Sequence, residues 1–164
     1  MTKTDYNPMT ITILPFSPEH APIFDRLNRT WISELFSIEP FDDLVLTSPQ
    51  KMIIDTGGEI WFAALDGDVI GACALLPFAE GILEFTKLGV DEKARGLGVA
   101  RRLLRHCRDR AKAKGAHTLK IFTSSKLAPA NALYLSEGFI QMEMTAEQKQ
   151  RYQRADVMYD LALT

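Results

Sequence analysis

Arg95-Gly96-Leu97-Gly98-Val99-Ala100 is the stretch from which the rest of the chain is read. Ahead of it, Ile82-Leu83-Glu84-Phe85-Thr86-Lys87-Leu88-Gly89-Val90 is apolar and strand-like. Behind it, Val99 to Lys114 has the period of an amphipathic helix, with Ala100, Leu103, Leu104, Cys107 and Ala111 on its buried stripe and Gly115 to close it. A strand, a glycine-rich turn and a helix start bring backbone N–H groups together, an arrangement that receives phosphate. The helix is also crowded with cations: Arg101, Arg102, Arg105, Arg108, Arg110, Lys112 and Lys114. Such a run reads as a solvated face or as an anion-binding surface, and its place directly after the turn keeps both open.

Working outward, Thr10 to Leu14 alternates and is β-branched, a first strand stopped by Pro15. Ser17-Pro18-Glu19 predicts a capped helix start, and the helix runs to about Phe36 with Ile23, Leu27, Trp31 and Leu35 on one stripe. A second helix is expected around Pro49 to Asp55, ended by Gly57-Gly58. Glu59 to Leu65 and Val69 to Leu76 form a hairpin about Asp66-Gly67-Asp68, and Ile82 to Val90 completes a meander. After the basic helix come a strand (Leu119 to Thr123), a short helix (Pro129 to Ser136) and strands at Phe139 to Met144 and Val157 to Leu163. The order β-α-α-β-β-β-α-β-α-β-β describes one α/β domain over residues 10–164 with a mixed sheet, and residues 1–9 read as a flexible leader. The strands flanking the basic helix should form a βαβ unit, with a ligand beyond the carboxyl end of the first.

With 164 residues, 46% hydrophobic and 24% charged, the composition is that of an ordinary globular domain. A formal net charge of −2 argues against a general nucleic-acid binder. The start of the chain is polar and no segment nears the about 20 apolar residues of a membrane span, so a cytoplasmic protein without a membrane partner is expected. Cys73 and Cys107 lack metal or redox spacing and read as buried free thiols. The histidines, His20, His106 and His117, are scattered, so no metal site is expected and neither cysteine has a partner for nucleophilic chemistry.

Three phosphate-binding devices compete for the glycine turn. A P-loop requires a Lys-Ser/Thr pair, which is missing; a dinucleotide fingerprint would need a third glycine where Arg101 stands. What remains is Arg/Gln-x-x-Gly-x-Gly/Ala, filled by Arg95, Gly98 and Ala100. Together with Val90-Asp91-Glu92, and with Ala130, Leu133-Tyr134 and Gly138-Phe139 downstream, it resembles the Gcn5-related N-acetyltransferase (GNAT) superfamily. The resemblance implies a mixed, mostly antiparallel central sheet with helices on both faces, and acetyl-coenzyme A as acyl donor. It further implies that backbone amides around Arg95, Gly96, Leu97, Gly98, Val99 and Ala100 hold the pyrophosphate. Leu88 and Val90 would pair with the pantetheine arm as a strand does, and Arg101, Arg102 or Arg105 would meet the adenosine phosphate. Relatives often place a cofactor-contacting asparagine where this chain has Leu127; Asn131 is out of register, and Ser124 and Ser125 are the replacements weighed, Ser124 as a cofactor contact.

Glu84 sits mid-strand between Leu83 and Phe85, where a carboxylate is out of place unless paired or used, and it is the general-base candidate. Tyr134, in Ala-x-x-Leu-Tyr-x-x-x-Gly-Phe, matches the tyrosine that the resemblance casts as general acid for the leaving thiolate. Trp31, Phe36 and Phe41 read as core or as walls of an acceptor pocket, and Tyr152 and Arg154 as readers of acceptor charge. The expected activity is direct transfer of an acyl group to a primary amine of a small molecule or peptide. A non-catalytic acyl-coenzyme A sensor is the alternative, a nucleotide-dependent enzyme stands third, and a homodimer through an edge strand is compatible with either of the first two.

Overall fold

The meander expected at the centre of the chain is the centre of the sheet. The structure is a computed structural model describing residues 10–151 and 153–164; the expected leader at 1–9 and Tyr152 lie outside the described residues. The strands are β1 (Ile11–Pro15), β2 (Glu59–Leu65), β3 (Asp68–Ala79), β4 (Ile82–Val90), β5 (Thr118–Thr123), β6 (Ile140–Met142) and β7 (Val157–Ala162). They form one seven-stranded sheet in the order β1-β2-β3-β4-β5-β7-β6, antiparallel except between β4 and β5. Asp66 and Gly67 take φ values of 51° and 88° in the β2–β3 turn, the double left-handed conformation that two-residue hairpins favour.

Helices α1 (Ala21–Leu35), α2 (Pro40–Thr47) and α3 (Pro49–Met52) cover one face; α4 (Val99–Ala113) and α5 (Ala128–Ser136) cover the other, and α6 (Ala146–Arg151) precedes β7. The first core gathers Phe24, Leu27 and Ile32 of α1 with Val45, Leu46, Ile60 and Phe62. The second packs Leu103, Leu104 and Cys107 of α4 and Tyr134 of α5 on Cys73, Leu75, Phe85 and Ile121. Cys73 and Cys107 are free, buried thiols 3.5 Å apart. Gly71 makes the α4 contact: a Cβ there would lie 2.8 Å from Val99 Cγ1, so the first turn of α4 sits directly on β3.

Three local expectations need correction. Ser17 makes no side-chain cap, and the segment opens with a 3-10 turn at Pro18–His20 before α1 begins. The buried stripe of α1 is Phe24, Leu27 and Ile32, whereas Leu35 is 47% exposed. Ile23 and Trp31 pack at the edge of the first core, and Trp31 and Leu35 line a cavity. Helices α2 and α6 were not expected; α2 is short, with Pro40 at its start, and Asp42 at its third position accepts from the Glu39 N–H at 3.0 Å.

Candidate active site

Strands β4 and β5 run together only over Ile82–Thr118, Leu83–Leu119 and Glu84–Lys120; beyond Glu84, β5 pairs with β7 alone. The outer edge of β4 from Phe85 onward is therefore open to a cavity of about 1270 Å³ that extends from the α1–α2 face to the glycine turn. Asp91 N–H donates to Ile70 O on the β3 side at 2.8 Å, so by strand alternation the backbone groups of Val90, and of Leu88 before it, face the open edge.

A β-bulge shapes this edge. Cys73 of β3 lies opposite both Lys87 and Leu88, and Lys87 takes φ 56°. The extra residue changes the strand's parity. Phe85, Leu88 and Val90 all pack on the α4 side, whereas Lys87 reaches Asp42 of α2 and a Cβ on Gly89 would touch Leu27 of α1. Glu84, half-buried and between two residues of the α4-side core, points to the α1–α2 side of the cavity.

At the carboxyl end of β4 the glycine turn leads into α4. Gly96 and Gly98 have φ 81° and 78°, values an L side chain rarely adopts, and a Cβ on either would meet no protein atom within 4 Å. The backbone N–H groups of residues 96–101 donate to no other described residue. A run of free donors at a helix start fits an anionic group such as a pyrophosphate. Arg95, Gly96, Gly98, Val99, Ala100 and Arg101 line the cavity; Leu97 does not, its side chain being 40% exposed, so only its backbone is placed to contribute.

The arginine run of α4 is largely occupied elsewhere. Arg101 and Arg105 both bond Glu137, Arg105 at 3.0 Å, with Arg108 at 3.9 Å, and Arg102 donates to Ile11 O. Arg110 grips Glu59 with bonds of 2.9 and 2.6 Å, and Lys114 adds to that pair. The Arg110 guanidinium, outweighing burial, and the Trp61 indole N–H hold the Glu59 carboxyl at about 2. Most of these cations tie α4 to the sheet and to α5, so the run is chiefly a clamp; Arg101 alone of the three expected at the adenosine phosphate lines the cavity.

Tyr134 enters from the other face. Its ring packs against Phe85, Phe139 and Tyr159 at 6.5, 6.0 and 5.8 Å, and its hydroxyl bonds no other described residue. Burial pushes its pKa well above the tyrosine norm, with Cys73 and Tyr159 adding to the effect, so the hydroxyl keeps its proton. Ser124 lines the cavity, whereas Ser125 is taken up by Asp156 through two bonds of 2.7 Å. Asn131 is structural: its amide N donates to Ser124 O and Leu127 O, and its Oδ1 accepts from the Tyr159 hydroxyl at 2.6 Å.

The α1–α2 wall carries Trp31, Phe36 and Phe41 together with an ion cluster that the sequence did not disclose. Arg154 bonds both oxygens of buried Asp42 at 2.6 Å, and Lys87 Nζ lies 3.4 Å from Oδ1. Burial alone would raise the Asp42 carboxyl, but Arg154, the Glu39 amide and Lys87 outweigh it and hold it at about 2. Burial lowers the Lys87 ammonium, opposed chiefly by Asp42. No signal in the sequence pairs residues so far apart. Among the described residues no group of His, Cys, Asp and Glu is placed to hold a metal, and no helix is long and apolar enough to cross a membrane.

The acetyltransferase (GNAT) family model matches residues 21–139, and the chain belongs to that family of acyltransferases. Among solved structures, a GNAT-family acetyltransferase from Staphylococcus aureus is similar with a TM-score of 0.84 and 17% identity, over 94% of this chain and 100% of that one. An acetyltransferase from Streptococcus agalactiae gives 0.74 and 20%, over 96% and 100%. The PaiA N-acetyltransferase from Thermoplasma acidophilum, solved in complex with coenzyme A, gives 0.70 and 15%, over 94% and 99%. At these identities the likeness is one of fold. No curated protein matches the chain by sequence.

Proposed function

We propose that the chain is an acetyl-coenzyme A-dependent N-acetyltransferase that passes the acyl group directly to a primary amine held in the same cavity. The observation that carries this reading is the convergence of Glu84 and Tyr134, from opposite faces of the sheet, on one cavity that also reaches the glycine turn. Acetyl-coenzyme A supplies the activated acyl group and a thiolate leaving group. The free amides of residues 96–101 hold the pyrophosphate, with Arg95, Arg101 and Ser124 alongside, and the open edge at Leu88 and Val90 pairs with the pantetheine arm. Glu84 takes the proton from the amine, directly or through water; the Gly89–Val90 end of β4 polarises the carbonyl; Tyr134 gives its proton to the departing sulfur. Proton carriers approaching from opposite faces of the sheet support direct transfer in a ternary complex.

The two free, buried thiols support a cytoplasmic setting. The outer strand β6, with Ile140 and Met142 exposed, is the surface that would support an edge-strand homodimer. The decisive experiment follows thiol release from acetyl-coenzyme A with a panel of primary amines, for wild type, Glu84→Gln and Tyr134→Phe. Turnover that falls about 10²-fold or more in each variant, with cofactor binding kept, is the expected result. Cofactor binding with no turnover on any amine would instead favour the acyl-coenzyme A sensor, and stabilisation by ATP or NAD but not coenzyme A would refute both.

A further inference from the structure

We infer that the acceptor is an amine that also carries a carboxylate on an apolar body, and that Lys87 receives that carboxylate; this rests on the acetyltransfer reading above. The argument starts from how the ion cluster distributes its bonds. Asp42, 3% exposed, has both oxygens taken by Arg154 at 2.6 Å, and one of them also accepts the Glu39 N–H at 3.0 Å. Its single negative charge is thereby committed. Lys87 keeps only a 3.4 Å contact with an oxygen that Arg154 already holds, and no other described residue accepts from its ammonium. Its side chain is only 13% exposed and lines the cavity.

A nearly buried ammonium whose one counter-charge is shared with Arg154 keeps spare donors, and these are expensive to leave unsatisfied. The backbone is also bent to put it there, since Lys87 holds a left-handed φ of 56° in the bulge that turns it to the Glu84 side. Among the described residues its ion pair within 4.0 Å is with Asp42, and Glu84 also feels its charge. Lys126 and Arg154 add positive charge over Phe36 at 5.3 and 5.7 Å, against Glu34 and Glu39, which also line the cavity. The surrounding walls, Trp31, Phe36, Phe41, Phe78 and Phe122, suit an apolar and preferably aromatic body. An acceptor carboxylate at Lys87 would place its amine toward Glu84, three residues back on the same strand and the same face.

The test compares matched pairs, L-phenylalanine with phenethylamine and L-tyrosine with tyramine, in two assays. Thiol release gives kcat/KM, and calorimetric binding to the enzyme–coenzyme A complex gives affinity without turnover. The acid of each pair is expected to lead by about tenfold to a hundredfold, the range of one charge-assisted bond. In Lys87→Met that ratio should collapse toward one, through KM rather than kcat, and Lys87→Arg should restore most of it. If the decarboxylated amines match or exceed the acids in wild type, or if no acid binds, this inference is overturned while the acetyltransfer reading stands on any amine that turns over. If Lys87→Met weakens both members alike, the role of Lys87 is overturned as well. Failure of coenzyme A itself to bind would strike the parent reading instead.

Discussion

Asp42→Asn removes one charge from the α1–α2 wall of the cavity and nearly nothing of its shape. In the folded protein the Asp42 carboxyl sits at about 2 against an ordinary 3.8, a gap worth about 2.4 kcal/mol of stability at neutral pH. Its folded pKa is depressed, so that contribution is complete above about pH 4 and is lost as pH falls toward 2, with about half gone at pH 3. Asparagine also leaves Lys87 and Arg154 facing each other without a counter-charge, which brings the expected cost at pH 7 to about 3 kcal/mol, the lower end for a broken buried pair. Urea unfolding read by the fluorescence of Trp31 and Trp61, which flank this face and the opposite one, measures the gap directly. It should be about 3 kcal/mol at pH 7 and narrow by about 1 kcal/mol at pH 3. A gap under about 1 kcal/mol at pH 7, or one that widens in acid, would refute the assignment of Asp42 as the keystone of this wall.

Tyr134→Phe should lower kcat about 10²-fold yet hardly move the melting temperature, because no described residue bonds that hydroxyl; a large loss of stability would make the tyrosine a core residue instead. With its pKa raised by burial, the wild-type rate should show no loss near pH 10 from deprotonation of Tyr134, which a pH–rate profile checks. Gly98→Ala places a side chain at φ 78°, costing about 1–2 kcal/mol, and should raise the KM for acetyl-coenzyme A about tenfold with kcat little changed in initial-rate kinetics. Gly71→Ala sets a methyl 2.8 Å from Val99 Cγ1 and should cost about 1–3 kcal/mol, seen as a melting temperature lower by several degrees.

What the sequence disclosed and what it concealed divide along physical lines. The meander, the βαβ crossing and the glycine turn were legible because each depends on local signals: alternation, Asp-Gly at a hairpin, and glycines where φ must be positive. Glu84 was legible because a carboxylate inside an apolar strand is a local anomaly. Leu35 misled for the same reason that periodicity works: a helix position lining a cavity is apolar as a core position is, and spacing alone does not separate them. The arginines of α4 stayed ambiguous because their partners, Glu59 and Glu137, lie on elements brought alongside only by the fold. The Asp42–Arg154 pair joins residues 112 positions apart, and no period or motif could announce it.

The bulge in β4 connects these levels. In an unbroken strand, Glu84 and Lys87 would face opposite sides, and the ammonium would enter the α4-side core among Cys73, Leu75 and Leu103, where an unpaired charge costs several kcal/mol. One extra residue opposite Cys73 avoids that at the cost of a left-handed lysine, about 1–2 kcal/mol. The smaller cost is the one the protein carries. The same shift of parity returns Leu88 and Val90 to the α4-side core, while Gly89 lets α1 approach, since a Cβ there would lie 3.0 Å from Leu27 O. A single inserted residue therefore seats the strand between its two layers and brings the Lys87 ammonium to the same side as Glu84, so deleting it should damage the packing of β4 and, on the proposed function, acceptor recognition together.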